Sequence, residues 1–337
     1  MAELNPPSRA AVSRGQAIGL VLLLAAACVL PFMVSNYRVF QLTLALVYAI
    51  ALLGLNMLTG YNGQISLGHG AFYAIGAYVA AILMDKFGVP YWLTVPAAGA
   101  VCLVAGFLFG LPALRLEGVY LALATFALGV AMPQLLKYKG FEHWTGGAQG
   151  IVINKPEPPE WSRLTQDQWL YFVVLVCLVG LFVVGWNILR GRMGRAMVAI
   201  RDQPIAATAM GVNTAMVKSL TFGVSAMYTG IAGALGAIVI QFVAPDSFTI
   251  FLSITLVVGI VIGGLASLSG AIYGALFIQF VPNLADQISK AAPWAIWGIS
   301  LIVFMYVMPT GVAGFVRIVV GRLRPRRVVL KPKKETS

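Results

Sequence analysis

Ten stretches of the chain contain no Lys, Arg, Asp or Glu: 16–35, 39–59, 64–84, 91–111, 119–136, 169–189, 219–243, 247–266, 270–285 and 291–316. Every charged residue lies between or outside them. Most are close to the roughly 20 apolar residues that a helix needs to cross a hydrocarbon core of about 30 Å. A Lys, Arg or Asp at the centre of such a helix would oppose insertion by about 2.5–3.5 kcal/mol. The pattern predicts an all-α fold, a polytopic transmembrane helical bundle of about ten spans (8–10). It divides the chain into an N-terminal tail (1–15), a membrane domain (16–316) and a basic C-terminal tail (317–337).

Two apolar regions are too long for one helix. Residues 39–84 would make a rod of about 69 Å and residues 250–285 one of about 54 Å, at about 1.5 Å per residue. Each must break. The first breaks at Thr59-Gly60-Tyr61-Asn62-Gly63-Gln64, the second between Gly263 and Gly270. Glycine loosens a helix, and Asn, Gln and Ser side chains can take up the backbone groups that unwinding frees. The breaks resemble each other: Ser66-Leu67 precedes Gly68-His69-Gly70-Ala71, and Ser267-Leu268 precedes Ser269-Gly270-Ala271. Such interruptions at matching places read either as lining of a transport path or as tight turns with small residues for close packing. Whether 64–84 crosses or dips in and returns stays open on pattern alone.

Charge then orients the chain. It carries 23 basic and 11 acidic residues, a net charge of +12. Eight of the basic residues lie between Arg317 and Lys334, and five between Arg190 and Lys218. This is the positive-inside distribution of cytoplasmic segments rather than a nucleic-acid surface. With the N-terminus inside, ten crossings put 190–218 and the C-terminus inside as well. They put 137–168, with four basic and four acidic residues, outside. Ala25-Ala26-Ala27-Cys28 faintly resembles a processing site, but the apolar run continues to Val34, so the first span reads as uncleaved. Cys28, Cys102 and Cys177 fall in different spans and read as small buried hydrophobes.

Catalytic chemistry has no foothold. No carboxylate lies within a span, and the two histidines, His69 and His143, are far apart. No motif calls for a cofactor or a metal. No G-x-x-x-x-G-K-[ST] loop is present, so the chain does not cradle ATP phosphates that way. A proton-driven carrier ordinarily keeps an ionisable group in the membrane, and only His69 qualifies. A transport protein that draws energy from elsewhere remains, with an autonomous carrier or channel as the competing class.

The segment Gly194–Gly211 is the informative cytoplasmic piece. Asp202 fits an N-cap, Pro204 a first helical turn and Gly211 a C-terminal stop. A helix of about two turns is marginal alone in water. It must lie on lipid or fit a groove on a partner.

Three motifs carry a family resemblance. The first runs from Gly54-Leu55-Asn56 through Thr59-Gly60-Tyr61-Asn62-Gly63-Gln64-Ile65-Ser66-Leu67-Gly68-His69-Gly70 to Tyr78. The second is Leu114-Arg115-Leu116-Glu117-Gly118, followed by Thr145-Gly146-Gly147-Ala148-Gln149-Gly150-Ile151. The third is Gly194–Gly211. From about residue 39 to about 316 the chain resembles the permease subunits of bacterial ABC importers for branched-chain amino acids, and within the permease pair the one with the longer extracytoplasmic loop.

The resemblance implies a bacterial inner-membrane assembly: a second permease subunit, two ATP-binding subunits, and a periplasmic or lipid-anchored substrate-binding protein. It also implies that 194–211 is the coupling loop presented to the ATP-binding subunits, with Arg195, Arg201, Asp202, Ala206, Ala207 and Gly211 as coupling candidates. Asp202 departs from the Glu that many importers place before the Ala pair. Related permeases carry urea and short amides on similar motifs, so the substrate class follows less closely than the family. Asn56, Asn62, Gln64, Ser66 and His69 are the translocation-path candidates, each otherwise a satisfied buried polar group. Trp144–Ile151 reads as a dock for the binding protein or as a Gly-rich turn with an interfacial Trp. The basic tail faces anionic lipid headgroups.

Overall fold

A computed structural model describes residues 14–113, 116, 118–160, 162–288 and 293–323. The tail segments 1–13 and 324–337, with Arg115 and Glu117, lie outside the described residues.

Each apolar stretch contains a helix: α1 (Arg14–Met33), α2 (Asn36–Asn56), α3 (His69–Phe87), α4 (Tyr91–Ala113) and α5 (Val119–Leu136). After the short α6 (Glu142–Thr145) and strand β1 (Ile151–Val152) comes α7 (Gln166–Arg190). Two short helices follow, α8 (Arg192–Asp202) and α9 (Pro204–Ala209). The last group is α10 (Thr214–Ile240), strand β2 (Phe242–Val243), α11 (Ile250–Gly263), α12 (Leu268–Ile288), α13 (Pro293–Val307) and α14 (Gly311–Leu323). Among the described residues eight helices are long and apolar enough to span a membrane, and nine if α13 and α14 form one span. They are bent by 43° across the break that holds Pro309. α14 continues through Arg317, so the end of the apolar stretch at 316 is not the end of the helix.

α10 sits at the centre, packed against α2, α3 and α4. Its small residues allow this. A Cβ on Gly76 of α3 would run into the carbonyl oxygen of Gly230 on α10. Lipid is as apolar as any side chain, so helices associate through such close backbone approach rather than through apolar burial. Tyr228 of α10 reaches across to α7, its hydroxyl donating to the Leu181 carbonyl at 2.8 Å.

α7 separates two loop systems. Its 25 residues span about 38 Å, with 137–165 at one end and 191–213 at the other. At the first end β1 pairs antiparallel with β2, Ile151 opposite Val243, and Trp144 stacks on Phe87, the last residue of α3. α3 is one continuous helix whose last turn reaches this loop, so it runs on from the first break without turning back. At the other end the first break meets α8 through Gly60 and Arg201, and the second break packs on the first.

Candidate functional site

The first break begins where α2 gives way to a π-helical turn, Met57–Tyr61, a form often found where function requires an irregular helix. Asn56 stands at the junction, fully buried. Its Oδ1 accepts from the Ala266 N–H at 2.9 Å. Its Nδ2 donates to the Ser267 carbonyl at 2.7 Å and the Gly264 carbonyl at 3.4 Å. Those groups belong to the second break, where Gly264 and Ala266 have φ of +118° and +56° and cannot continue a helix. One amide therefore satisfies backbone that would otherwise be orphaned in apolar surroundings. Asn56 clamps the two breaks together.

Beyond the turn, residues 62–66 form an irregular segment that alternates in burial, with Asn62, Gln64 and Ser66 buried and Gly63 and Ile65 exposed. Three polar side chains of this segment are thus buried. Ser66 Oγ lies 2.9 Å from His69 Nδ1, and His69 Nε2 lies 2.7 Å from Ser225 Oγ on α10. Phe72 and Phe222 flank the ring. A neutral imidazole satisfies both contacts, donating through one nitrogen and accepting through the other. The backbone of this segment is held by hydroxyls: Leu67 N–H donates to Thr125 Oγ1 at 2.9 Å and Gly70 N–H to Ser253 Oγ at 2.8 Å. Asn62 and Gln64 differ. Both Asn62 amide atoms and Gln64 Oε1 are buried without a partner. The five path candidates thus separate into a clamp, a filled relay and an unsatisfied pair.

The loop at the other face of the break is more structured than capping signals alone predict. α8 lays Gly194, Met197 and Ile200 inward, a spacing of three that would have disclosed it as an amphipathic helix. Asp202 does not cap α9, correcting the expectation above: it closes α8, and Gln203 occupies the N-cap position. The Asp202 carboxylate instead pairs with Arg201, whose Nη2 lies 2.9 Å away. Pro204 opens α9 as expected. Gly211, at φ +82°, ends it. Val212 N–H donates to the Ala207 carbonyl and Gly211 N–H to the Thr208 carbonyl, the paired bonds of a glycine-stopped helix.

The Ala pair is divided. Ala207 is 5% exposed and packs inward, while Ala206 faces out. The most prominent apolar groups here are Ile205 and Met210, 86% and 85% exposed, which residue type alone did not single out. Arg195 donates to the Arg190 carbonyl at the surface. Arg201 joins loop to break. Its Nη1 donates to the Gly60 carbonyl at 2.9 Å, and its aliphatic stem crosses Gly63, where a Cβ would come within 2.8 Å of Cγ. Gly63, at φ +73°, is suited to both demands. Among the described residues no three His, Cys, Asp or Glu side chains come together as metal ligands.

Residues 37–308 match the family described as "Branched-chain amino acid transport system / permease component". The chain belongs to that family. The LivM permease proteins of the high-affinity branched-chain amino acid transport systems of Salmonella typhimurium and Escherichia coli are each 34% identical to it over 327 residues. The match covers 90% of this chain and 76% of theirs. The LivH permease protein of Salmonella typhimurium is 27% identical over 298 residues, 81% of this chain and 92% of its own. No solved structure gives a significant match. Within this family of branched-chain amino acid permeases, the break at 57–68 and the loop at 190–218 both fall inside the matched region.

Proposed function

We propose that this chain is one permease subunit of an ATP-driven importer for branched-chain amino acids, and that it forms half of the translocation path. The second half is a related permease; the similarity to both LivM and LivH supports a two-permease assembly. Two ATP-binding subunits lie on the cytoplasmic side, one of them docked on α9, and a substrate-binding protein delivers its cargo to the face carrying 137–168. Both termini are cytoplasmic in the bacterial inner membrane.

The observation that carries this reading is the hydrogen bond from Arg201 to the Gly60 carbonyl. It joins the loop that a motor would push to the irregular turn that a path would need. Ile205, Ala206 and Met210 form the outward apolar tip, and such a knob suits a groove on a partner. Ala207 and Gly211 shape the loop rather than meet the partner. Arg201 and Asp202 transmit, through α8 and Gly60, what the tip receives. Asn56 then carries the displacement to the second break.

The test is uptake in proteoliposomes containing both permeases, both ATP-binding subunits and the binding protein. Leucine uptake that requires ATP and the binding protein is expected. Leucine flux through this chain alone, driven by its gradient, would contradict the reading, as would uptake of urea in place of leucine.

A further inference from the structure

Between the first break and the α8–α9 loop lies a cavity of about 160 Å³. A cavity of roughly 150 Å³ holds a benzene-sized molecule. Its wall is mixed. Ile65, Leu121 and Ile200 supply apolar surface, and Asn62, Gln64, Arg201 and Lys218 supply polar groups. Asn62 is 2% exposed and Gln64 8%. Three of their atoms, Asn62 Oδ1 and Nδ2 and Gln64 Oε1, have no hydrogen-bond partner. A buried polar atom left so costs about 1–3 kcal/mol. Native structures keep few such atoms, and those they keep ask for a reason. Here all three belong to residues lining one cavity, beside a guanidinium and an ammonium.

We propose that this cavity binds one α-amino acid with an apolar side chain, approached from the α8–α9 face. The carboxylate faces Arg201 and Lys218, with the Asn62 amide N–H as a further donor. The ammonium group donates to Asn62 Oδ1 and Gln64 Oε1, and the side chain lies on Ile65 and Ile200. This assignment rests on reading the chain as a branched-chain amino acid permease. It adds a discrete binding site on a single permease, at the joint itself. Because Arg201 both walls the cavity and ties α8 to Gly60, an occupant wedges the contact through which the loop acts. Accumulated product therefore slows the transport cycle.

The test uses the assembled transporter, with both permeases and both ATP-binding subunits, in nanodiscs without the binding protein. L-leucine is titrated calorimetrically, and ATP hydrolysis is followed over the same concentrations. Saturable leucine binding is expected, with hydrolysis falling at least twofold as the site fills. Gln64→Leu removes an acceptor, and Ile65→Trp occludes the cavity from a position that tolerates size. Each is expected to weaken leucine binding tenfold or more and to relieve the inhibition. Unchanged leucine affinity in both variants would overturn the proposal. So would absence of binding, or competition by acetate and inorganic phosphate as strong as that by leucine, which would make this an anion site. ATP-driven leucine uptake is measured on the same preparation with binding protein added. If uptake persists while binding is absent, only the cavity assignment fails; if another solute is carried in place of leucine, the permease reading fails with it.

Discussion

Arg201 of α8 donates to the carbonyl of Gly60, 141 residues earlier in the chain, at 2.9 Å. In an intact helix that carbonyl would be committed to backbone. The helix ends at Tyr61 and leaves it free, and the guanidinium takes it while pairing with Asp202. A hydrogen bond from a charged donor contributes about 1.5–3 kcal/mol. Arg201→Met keeps much of the stem that covers Gly63 and removes the donor. ATP-driven leucine uptake is expected to fall about tenfold, with membrane insertion and assembly unchanged. Arg201→Lys rescues only partly, since one ammonium cannot serve Gly60 and Asp202 in the same fork. Uptake assays on matched amounts of assembled complex check both.

Asn56→Leu leaves the Ala266 N–H and Ser267 carbonyl without their partner. The expected loss is about 2 kcal/mol, read as a lower thermal midpoint of the purified permease pair in detergent. Asn56→Ala adds a small cavity and falls further. By contrast Gln41→Leu, which removes a bond to the exposed Tyr37 hydroxyl, leaves the midpoint within error.

Close backbone approach sets a third expectation. Gly76→Val places side-chain atoms against the Gly230 carbonyl and forces α3 away from α10; folded yield should drop severalfold. Gly180 of α7 has nothing near its Cβ position. Gly180→Ala should be neutral, or stabilise by up to about 1 kcal/mol through helix propensity. Fluorescence-detected size exclusion of both variants distinguishes the two sites.

The Ala pair gives a fourth. Ala206→Glu and Met210→Glu put charge on the outward tip, and each should prevent assembly with the ATP-binding subunits while leaving the permease midpoint unchanged. Ala207→Glu strikes an inward position and should lower the midpoint itself. Pull-down of the ATP-binding subunits, set beside thermal melts of the permease pair, separates docking from folding.

Much of this fold is legible from charge-free stretches, because in lipid a charge costs more than any local preference. The breaks at 57–68 and 264–267 are legible too, since Gly, Asn and Ser cluster where a single helix would be too long. The clamp is not: Asn56 and Ala266 are 210 residues apart, and no local pattern distinguishes a latch from a path residue. α8 was readable from Gly194, Met197 and Ile200, but Asp202 before Pro204 offers a stronger capping signal that points to the wrong boundary. What decides a cap is the backbone, and at 203 φ is −150° and ψ 87°. Exposure of Ile205 and Met210 depends on how α9 turns over the end of α10, which composition does not encode.

The account as a whole turns on one contact, best measured by photocrosslinking from Met210→benzoylphenylalanine in the intact transporter, with membrane-impermeant labelling of Ile205→Cys to fix its side. The account predicts an adduct with an ATP-binding subunit, and labelling in inside-out vesicles alone. An adduct with lipid only, or a thiol reached from the outside of intact cells, would contradict it.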